Sequence, residues 1–404
     1  MALLRFMIPG FQFSGIAAGI KEGHRPDLAL IYSERPASVV ASFTTNKVQA
    51  APVLVSKKNI RSGLCQAVIV NSGNANACTG TQGIKDAQKM VQVTAQSLKI
   101  LEKHVLVCST GKIGIPLPID RMVTKIPSAV SSLKKEGFLK SAQAILTTDA
   151  SVKVSMARGV LFGKPYRIAA FAKGAGMIEP HMQVFPPHAT MLAFMMTDAF
   201  VAPKVLQVLF RNCVEETFNR ISVDGDTSTN DTAIVLANGF AGNKPFALKT
   251  PACRSFAENL YHVMDSLARQ MVEDGEGATK CVRLEIRGAS SDSDAKKIAY
   301  TVANSPLVRT SFFGQDPNWG RLLAAAGRSG ATLKPDCADI YYGDVCVARR
   351  GISTGFLKDR EAKKVLKKQR VTIGMDLHLG RGTFALYTSD LTLDYVKINS
   401  CYRT

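Results

Sequence analysis

A chain of 404 residues with 46% hydrophobic and 21% charged side chains has room for two lobes with their own cores, and this profile excludes a disordered, fibrous or low-complexity polymer. The formal charge of +19 raises nucleic-acid binding, but the densest basic run, residues 358–370, carries Asp359 and Glu361 and no aromatic residue for base stacking, so it reads as an exposed helix whose field attracts acidic substrates. The longest apolar stretch, residues 189–196, is far below a membrane span, and nine cysteines with no C-x-x-C fit a reduced cytosol.

Residues 1–19 hold one Arg and a mixed apolar pattern and do not read as a signal peptide. Short β-rich runs then end in small polar loops: residues 67–70 before Asn71-Ser-Gly73, residues 105–108 before Ser109-Thr-Gly111, and residues 167–171 before Lys173-Gly174. A strand followed by a glycine turn is a common way to present an active-site loop. Helices are expected over residues 85–101, 203–218 and 256–272. In the third, Phe256, Leu260, Met264, Leu267 and Met271 recur at helical spacing. Ser255 with Glu258 forms a capping pattern there, and the glycines of Asp274-Gly-Glu-Gly277 suit its end. Helices and strands mix without an internal repeat, so the fold class is α/β or α+β.

The stretch most suggestive of chemistry runs from Lys173-Gly-Ala-Gly-Met-Ile178 to Ala189-Thr190-Met191-Leu192. A small residue before a threonine suits self-cleavage: Thr190 Oγ attacks the Ala189 carbonyl, the acyl group moves from nitrogen to oxygen, and water hydrolyses the ester. The freed α-amine, with an ordinary pKa of about 7.7–8.0, then serves as the hydroxyl's own general base. By local sequence alone, the same residues also read as the start of a buried strand. Acyl transfer needs donors for an oxyanion, and Thr110-Gly111 offers a hydroxyl and an accessible amide, against the alternative of a plain β-turn. His181 and His188 read as exposed loop histidines rather than metal ligands, with His188 as a proton-transfer aid the nearer alternative. Cys78 reads as a buried structural thiol. The glycine pairs at 174/176 and 275/277 do not continue into nucleotide-binding motifs, and Asp224-Gly-Asp226 lacks the spacing of a calcium loop.

These blocks together resemble the ornithine acetyltransferase family of arginine biosynthesis, also called glutamate N-acetyltransferase or the ArgJ family. The resemblance runs through Ala18-Gly-Ile-Lys21, Arg25-Pro-Asp-Leu-Ala29, Val70-Asn-Ser-Gly-Asn-Ala-Asn-Ala-Cys-Thr-Gly80, Ser109-Thr-Gly-Lys-Ile-Gly114 and Leu146-Thr-Thr-Asp149. It continues through the lysine loop, Ala189-Thr-Met-Leu192, Val223-Asp-Gly-Asp-Thr-Ser-Thr-Asn-Asp-Thr232, Asp274-Gly-Glu-Gly-Ala-Thr-Lys280, Phe313-Gly-Gln-Asp-Pro-Asn-Trp-Gly-Arg321 and Asp394-Tyr-Val-Lys-Ile-Asn399.

The resemblance implies a two-lobed α/β fold of mixed sheets packed by helices. It implies cleavage between Ala189 and Thr190 into an α chain, 1–189, and a β chain, 190–404, which carries the nucleophile strand and the C-terminal lobe. Thr190 becomes the nucleophile, Thr110 and Gly111 the oxyanion hole, and Thr147, Lys173, Thr190, Glu276, Asn399 and Thr404 the substrate contacts. Lys173 suits an α-carboxylate, Glu276 the side-chain amine of ornithine, and a chain end at Thr404 puts a hydroxyl and a carboxylate near Asn399. The implied reaction is ping-pong acetyl transfer from N-acetylornithine to glutamate, with no metal or redox cofactor and with acetyl-CoA as a second donor in some members. The implied assembly is a heterotetramer in the cytoplasm, with no nucleic acid and no membrane. A departure from the family pattern is the added segment Gln183-Val-Phe-Pro-Pro-His188, with His181 where Asn is common; it bears on how the Ala189-Thr190 bond is aimed. Rival readings are an amidohydrolase or aminopeptidase using the same N-terminal threonine, and an uncleaved, inactive relative acting as a binding protein.

Overall fold

The computed structural model describes residues 7–181 and 191–401. These fall into two units. One takes the chain up to Asn219 together with Thr227–Ala268, and the other takes Arg220–Asp226 and the chain from Arg269 onward. The expected 189/190 cleavage point lies outside the described residues and is a separate matter from this division.

The elements up to the end of the first unit are, in chain order, β1 (Phe11–Ile16), β2 (Leu28–Phe43), α1 (Ala51–Asn59), β3 (Leu64–Asn74), α2 (Gly80–Leu98), β4 (Val105–Lys112), α3 (Ile119–Ser131), α4 (Phe138–Ala144), β5 (Lys153–Leu161), β6 (Lys164–Lys173), β7 (Leu192–Thr197), α5 (Pro203–Glu216), β8 (Ile221–Ser222, a strand of the second unit), β9 (Thr232–Ala237) and α6 (Pro251–Glu273). The sheet runs β4-β3-β2-β9-β7-β6-β5, with β1 beside β2. Its pivot is β2. Residues Leu28 to Tyr32 pair with β3 on one edge and with β1 on the other; the register shifts between Tyr32 and Ala37, after which Ala37 and Ser38 still pair with β3 while Ser38 to Phe43 pair with β9.

With β1 giving way to β9 along that edge, the sheet folds over itself. Val68, Val70, Leu106 and Cys108 of β3 and β4 share one core cluster with Phe171, Phe194 and Ile234 of β6, β7 and β9. Phe138 of α4 packs edge-on against both Phe13 and Phe171, with centroids 5.3 and 5.2 Å apart. The intervening residues of β3 and β4, Ala67, Ile69, Val105 and Val107, face the other way onto Met90 of α2 and Met122 and Ile126 of α3. Strand alternation thus decides which side chains reach the space between the two sheet layers.

Two local expectations are corrected here. The runs at 67–70 and 105–108 do not stop at their polar tripeptides: β3 and β4 continue to Asn74 and Lys112. Helix α6 starts before the Ser255/Glu258 pattern, with Pro251 in its first turn and the Thr250 hydroxyl accepting from the Cys253 amide at 3.2 Å. Its end at Glu273, just before Asp274-Gly-Glu-Gly277, is as expected.

The second unit contains β8, β10 (Cys281–Ala289), α7 (Asp292–Ala303), α8 (Pro306–Phe313), α9 (Trp319–Gly327), β11 (Asp339–Tyr342), β12 (Val345–Arg349), β13 (Ile352–Ser353), α10 (Phe356–Leu366), β14 (Arg370–Asp376), β15 (Gly382–Ser389) and α11 (Leu393–Cys401). Its sheet runs β13-β12-β11-β14-β10-β15-β8, mixed because β10 is parallel to β14 and antiparallel to β15. Ile298 and Val302 of α7 and Leu322 of α9 pack on Leu284, Ile286, Ile340 and Ile373. The basic run expected as an exposed helix forms α10 and the connection into β14. The fold class is therefore α/β, two mixed sheets packed by helices. No helix among the described residues is long and apolar enough to cross a membrane.

Candidate functional site

Thr110 and Gly111 lie near the end of β4, where the parallel register pairs Ser72 with Thr110 and Gly73 with Gly111. Two backbones meet there with no room for a side chain: Gly111 has φ +132°, and a Cβ on it would stand 2.3 Å from the Gly73 carbonyl carbon. This contact requires glycine. Thr110 shares the parity of Leu106 and Cys108, so its side chain joins the space between the sheet layers.

Lys173, the last residue of β6, follows Ala169 and Phe171 on the same inter-layer face. The fold-over brings the two strand ends together. Lys173 Nζ donates to Thr110 Oγ1 at 3.3 Å and to Thr147 Oγ1 at 2.8 Å. Because the Thr110 oxygen accepts from an ammonium, its own hydrogen is left for an incoming negatively charged oxygen. Lys173 also pairs with Leu192 at the start of β7, and Met191 O accepts from Thr232 N.

Behind Lys173 stands Asp149, a carboxylate with 0% side-chain exposure. Oδ1 meets Lys153 Nζ at 2.7 Å and accepts from the Gly174 amide at 2.7 Å; Oδ2 accepts from the Thr147 amide at 3.0 Å and lies 3.9 Å from Lys173 Nζ. Burial by itself raises the carboxyl's pKa, but Lys173 and Lys153 override it and hold the group well below the usual carboxylate range. The same carboxylate therefore fixes both residues on which Lys173 depends, the Thr147 turn and the Lys173-Gly174 corner.

The asparagines of the Val70–Gly80 block are structural. Asn71 Oδ1 accepts from Ser109 Oγ at 2.6 Å, and Asn74 Nδ2 donates to the carbonyls of Ile115 and Pro116. Asn230 Nδ2 donates to Ser109 O at 2.8 Å and Ala75 O at 2.6 Å. Buried amides thus satisfy the backbone carbonyls left unpaired as β3 and β4 end.

Within the second unit, Glu276 is 7% exposed and its Oε2 accepts from Asn399 Nδ2 of α11 at 2.9 Å. The approach depends on Gly277 at φ +67°, where a Cβ would lie 2.5 Å from the Tyr395 nitrogen. Thr392 of the α11 entry donates its hydroxyl to Gly277 O at 2.7 Å. Burial, reinforced by Asp224 and opposed by Arg309, pushes the Tyr395 phenol up to about 12. A carboxylate held by a neutral amide in such surroundings favours a cationic ligand group.

The model of the ArgJ family matches residues 12–404. The chain belongs to the ArgJ family. It is 50% identical over 397 residues to the Arginine biosynthesis bifunctional protein ArgJ of Geobacter sulfurreducens, covering 98% of this chain and 100% of that one. It is 42% identical to the protein of the same name from Thermotoga neapolitana, covering 99% and 100%. Among solved structures, the Arginine biosynthesis bifunctional protein argJ of Bacillus halodurans superposes with a TM-score of 0.51 at 41% identity, covering 53% of this chain and 100% of that one. The chain is thus an ArgJ-family enzyme of arginine biosynthesis.

Of the residues that the ArgJ resemblance singles out, the fold brings Thr110, Gly111, Thr147 and Lys173 together in the first unit, and Glu276 and Asn399 together in the second. Ala189, Thr190, His188 and Thr404 lie outside the described residues. Cys78, expected to be buried, is exposed: the chain turns through positive φ at Asn76 and at Cys78 (+57°) ahead of α2, and the thiol faces outward. His181 is 40% exposed and meets Glu179 Oε1 at 3.1 Å. No cluster of candidate metal ligands occurs among the described residues. Sequence reasoning missed Asp149 and Lys153. Asp149 closes the block Leu146-Thr-Thr-Asp149, and an acid four residues before a lysine was the available signal, though nothing in the spacing shows that both are buried.

Proposed function

We propose that this chain transfers an acetyl group from N2-acetyl-L-ornithine to L-glutamate through an acetyl ester on Thr190. The observation that supports this most directly is the convergence of Lys173 on Thr110 and Thr147 beside the start of β7. In activation, Thr190 Oγ attacks the Ala189 carbonyl, the Ala189–Thr190 C–N bond breaks to free the α-amine, and water hydrolyses the resulting ester to release the Ala189 carboxylate and restore the hydroxyl. In turnover, that amine takes the Oγ proton as the oxygen attacks the acetyl carbonyl of N-acetylornithine. The C–N bond breaks and the proton passes to the departing ornithine amine. Glutamate's amine then attacks the ester and loses its proton to the Thr190 amine; the ester C–O bond breaks, the proton passes to Oγ, and N-acetylglutamate leaves.

Thr110, with its hydroxyl hydrogen free, and the Gly111 amide stabilise the tetrahedral oxyanions, a role worth about 10²–10³ in rate per donor. Lys173 takes the α-carboxylate, with Thr147 beside it. Glu276, held by Asn399, suits the side-chain ammonium of ornithine, and Thr404 completes the family's set of substrate contacts. The reading needs no metal or redox cofactor, allows acetyl-CoA as a second donor, and has the 1–189 and 190–404 chains remaining together as a heterotetramer in the cytoplasm.

Intact mass spectrometry of the purified protein beside Thr190→Ala, followed by an assay with acetyl-labelled N-acetylornithine, tests it. The expected result is fragments meeting at 189/190 in the wild type only, with label arriving in N-acetylglutamate. Label released as acetate regardless of glutamate would make the protein an N-terminal-threonine amidohydrolase. An intact wild-type chain without turnover would make it a binding relative whose added segment at 183–188 blocks activation.

A further inference from the structure

The loop between β1 and β2 carries a lysine that the proposed chemistry leaves unused. Asp27, 0% exposed, gathers that loop: Oδ1 accepts from the Ala18 amide at 2.5 Å, and Oδ2 from the amides of Ile20 and Lys21 at 2.6 and 2.9 Å. The Asp27 carbonyl in turn accepts from Ser72 N at 2.9 Å, which fastens the loop to β3 one residue before Gly73. A Cβ on Gly73 would stand 3.1 Å from Lys21 Cγ, so the lysine stem passes over the Gly73–Gly111 contact.

The ammonium end of Lys21 points toward the same group of residues. Nζ donates to Pro26 O at 3.0 Å and, at 3.5 Å, to Ala144 O, the carbonyl that also accepts from Ser72 Oγ and lies three residues before Thr147. Among the described residues, its acceptors are these two carbonyls. The Asp27 carboxylate is committed to three amides, and Asp149 is already paired with Lys153. Half-burial pushes Lys21 down to about 8; Asp27 and Asp149 oppose the shift, while Arg25 and Lys173 add to it. Lys173 is near enough to disfavour the charged form of Lys21, and a carboxylate that both ammonium groups engage would relieve that cost.

We propose that Lys21 is a second carboxylate-binding cation of the site built on Lys173, Thr110 and Thr147, and that the two lysines share the α-carboxylate of the amino-acid substrate. This rests on the acetyl-transfer reading for the identity of the ligand. Lys173 is backed by Asp149 and keeps a fixed place, whereas Lys21 adds charge from the β1–β2 loop. Carboxylate binding favours its charged form, so near pH 8 the site takes up a proton as the ligand enters.

The test is isothermal titration of the cleaved, unacetylated protein with L-ornithine and with L-glutamate, in two buffers of different ionisation enthalpy, for wild type, Lys21→Gln and Lys21→Arg. Expected are a loss of about 10-fold or more in affinity for both ligands in Lys21→Gln, near-wild-type binding in Lys21→Arg at pH 7, and proton uptake at pH 8 that is larger in wild type than in Lys21→Arg. Between pH 7 and 9 the wild-type affinity should fall while that of Lys21→Arg holds, a difference that a merely structural lysine does not produce. The Arg arm stands even if Lys21→Gln does not fold. Wild-type binding and acetyl transfer with unchanged affinity in Lys21→Gln, or matching pH profiles in wild type and Lys21→Arg, would overturn the Lys21 role alone. Failure of the cleaved wild type to bind either amino acid would overturn the acetyl-transfer reading itself.

Discussion

Replacing Asp149 by Asn keeps the shape of the side chain and removes the negative charge facing Lys153 and Lys173. Lys153 has 0% side-chain exposure and loses its carboxylate partner at 2.7 Å. Breaking a buried pair from one side costs about 3–5 kcal/mol, because the surviving charge is left in a poor solvent. At about 2–4 °C per kcal/mol for a unit of this size, the melting transition of the first unit should fall by roughly 6–20 °C, read by circular dichroism. The pH dependence sharpens the test. Burial raises the Asp149 pKa but the two lysines lower it further, so the folded value lies below the unfolded value of about 3.9. A depressed carboxyl contributes stability that is complete above the unfolded pKa and is lost as pH falls through the folded one. The gap between wild type and Asp149→Asn should therefore be constant from pH 8 to pH 5 and narrow only in stronger acid. Adding Lys153→Met should recover much of the loss, since the stranded ammonium is gone. A gap under about 2 °C, or one that changes between pH 6 and 7, would refute the assigned ion pair.

Thr110→Ala should lower kcat by about 10²–10³ with little change in melting temperature, and Thr110→Ser should retain most of the rate; equal losses for both would point to packing rather than the hydroxyl. Gly111→Ala drives a Cβ to 2.3 Å from the Gly73 carbonyl carbon at φ +132°, and should cost more than about 3 kcal/mol, seen as lost soluble yield or a collapsed denaturant midpoint. In a thiol titration of the native protein, Cys78 and Cys401, both exposed, should react at once. Cys65 and Cys213, whose thiols burial pushes up to about 12, should wait for denaturant, and Cys78→Ser should remove one fast equivalent.

Local features were legible in the sequence where a single element decides them. The spacing of Phe256, Leu260, Met264, Leu267 and Met271 marks the buried stripe of α6, and all five are 0% exposed. The start of that helix was misplaced because Thr250-Pro251 competes with Ser255/Glu258 for the cap, and the Thr250 hydroxyl, bonded to the Cys253 amide, begins the helix earlier. The tripeptides Asn71-Ser-Gly73 and Ser109-Thr-Gly111 look like turns when read singly. They are strand because each supplies what the other needs: two glycines facing across a parallel pair, with Asn71 bonding Ser109 Oγ. Cys78, expected as a buried thiol, stands at positive φ just ahead of α2 and is exposed, a local backbone turn that the residue types around it do not announce.

What the sequence could not carry is the encounter of Thr110 with Lys173. In the order of the sheet, β4 and β6 are separated by β3, β2, β9 and β7, a span over which no side chain reaches in a flat sheet at about 4.8 Å per strand. The contact exists because β2 exchanges β1 for β9 along one edge, across the irregularity between Tyr32 and Ala37, and one half of the sheet covers the other. A two-residue alternation then points Thr110 and Lys173 into the same layer. Each step is local and ordinary, but their product depends on pairings far apart in sequence. The same reasoning explains why the roles of Asp149 and Lys21 escaped notice: each closes a short block of the family resemblance, but gains its role only when β6, the Thr147 turn and the β1–β2 loop come together. Lys173 can hold a fixed charge there because Asp149 supports it from behind, and Lys21 lacks such support, which is why an incoming carboxylate has more to offer it.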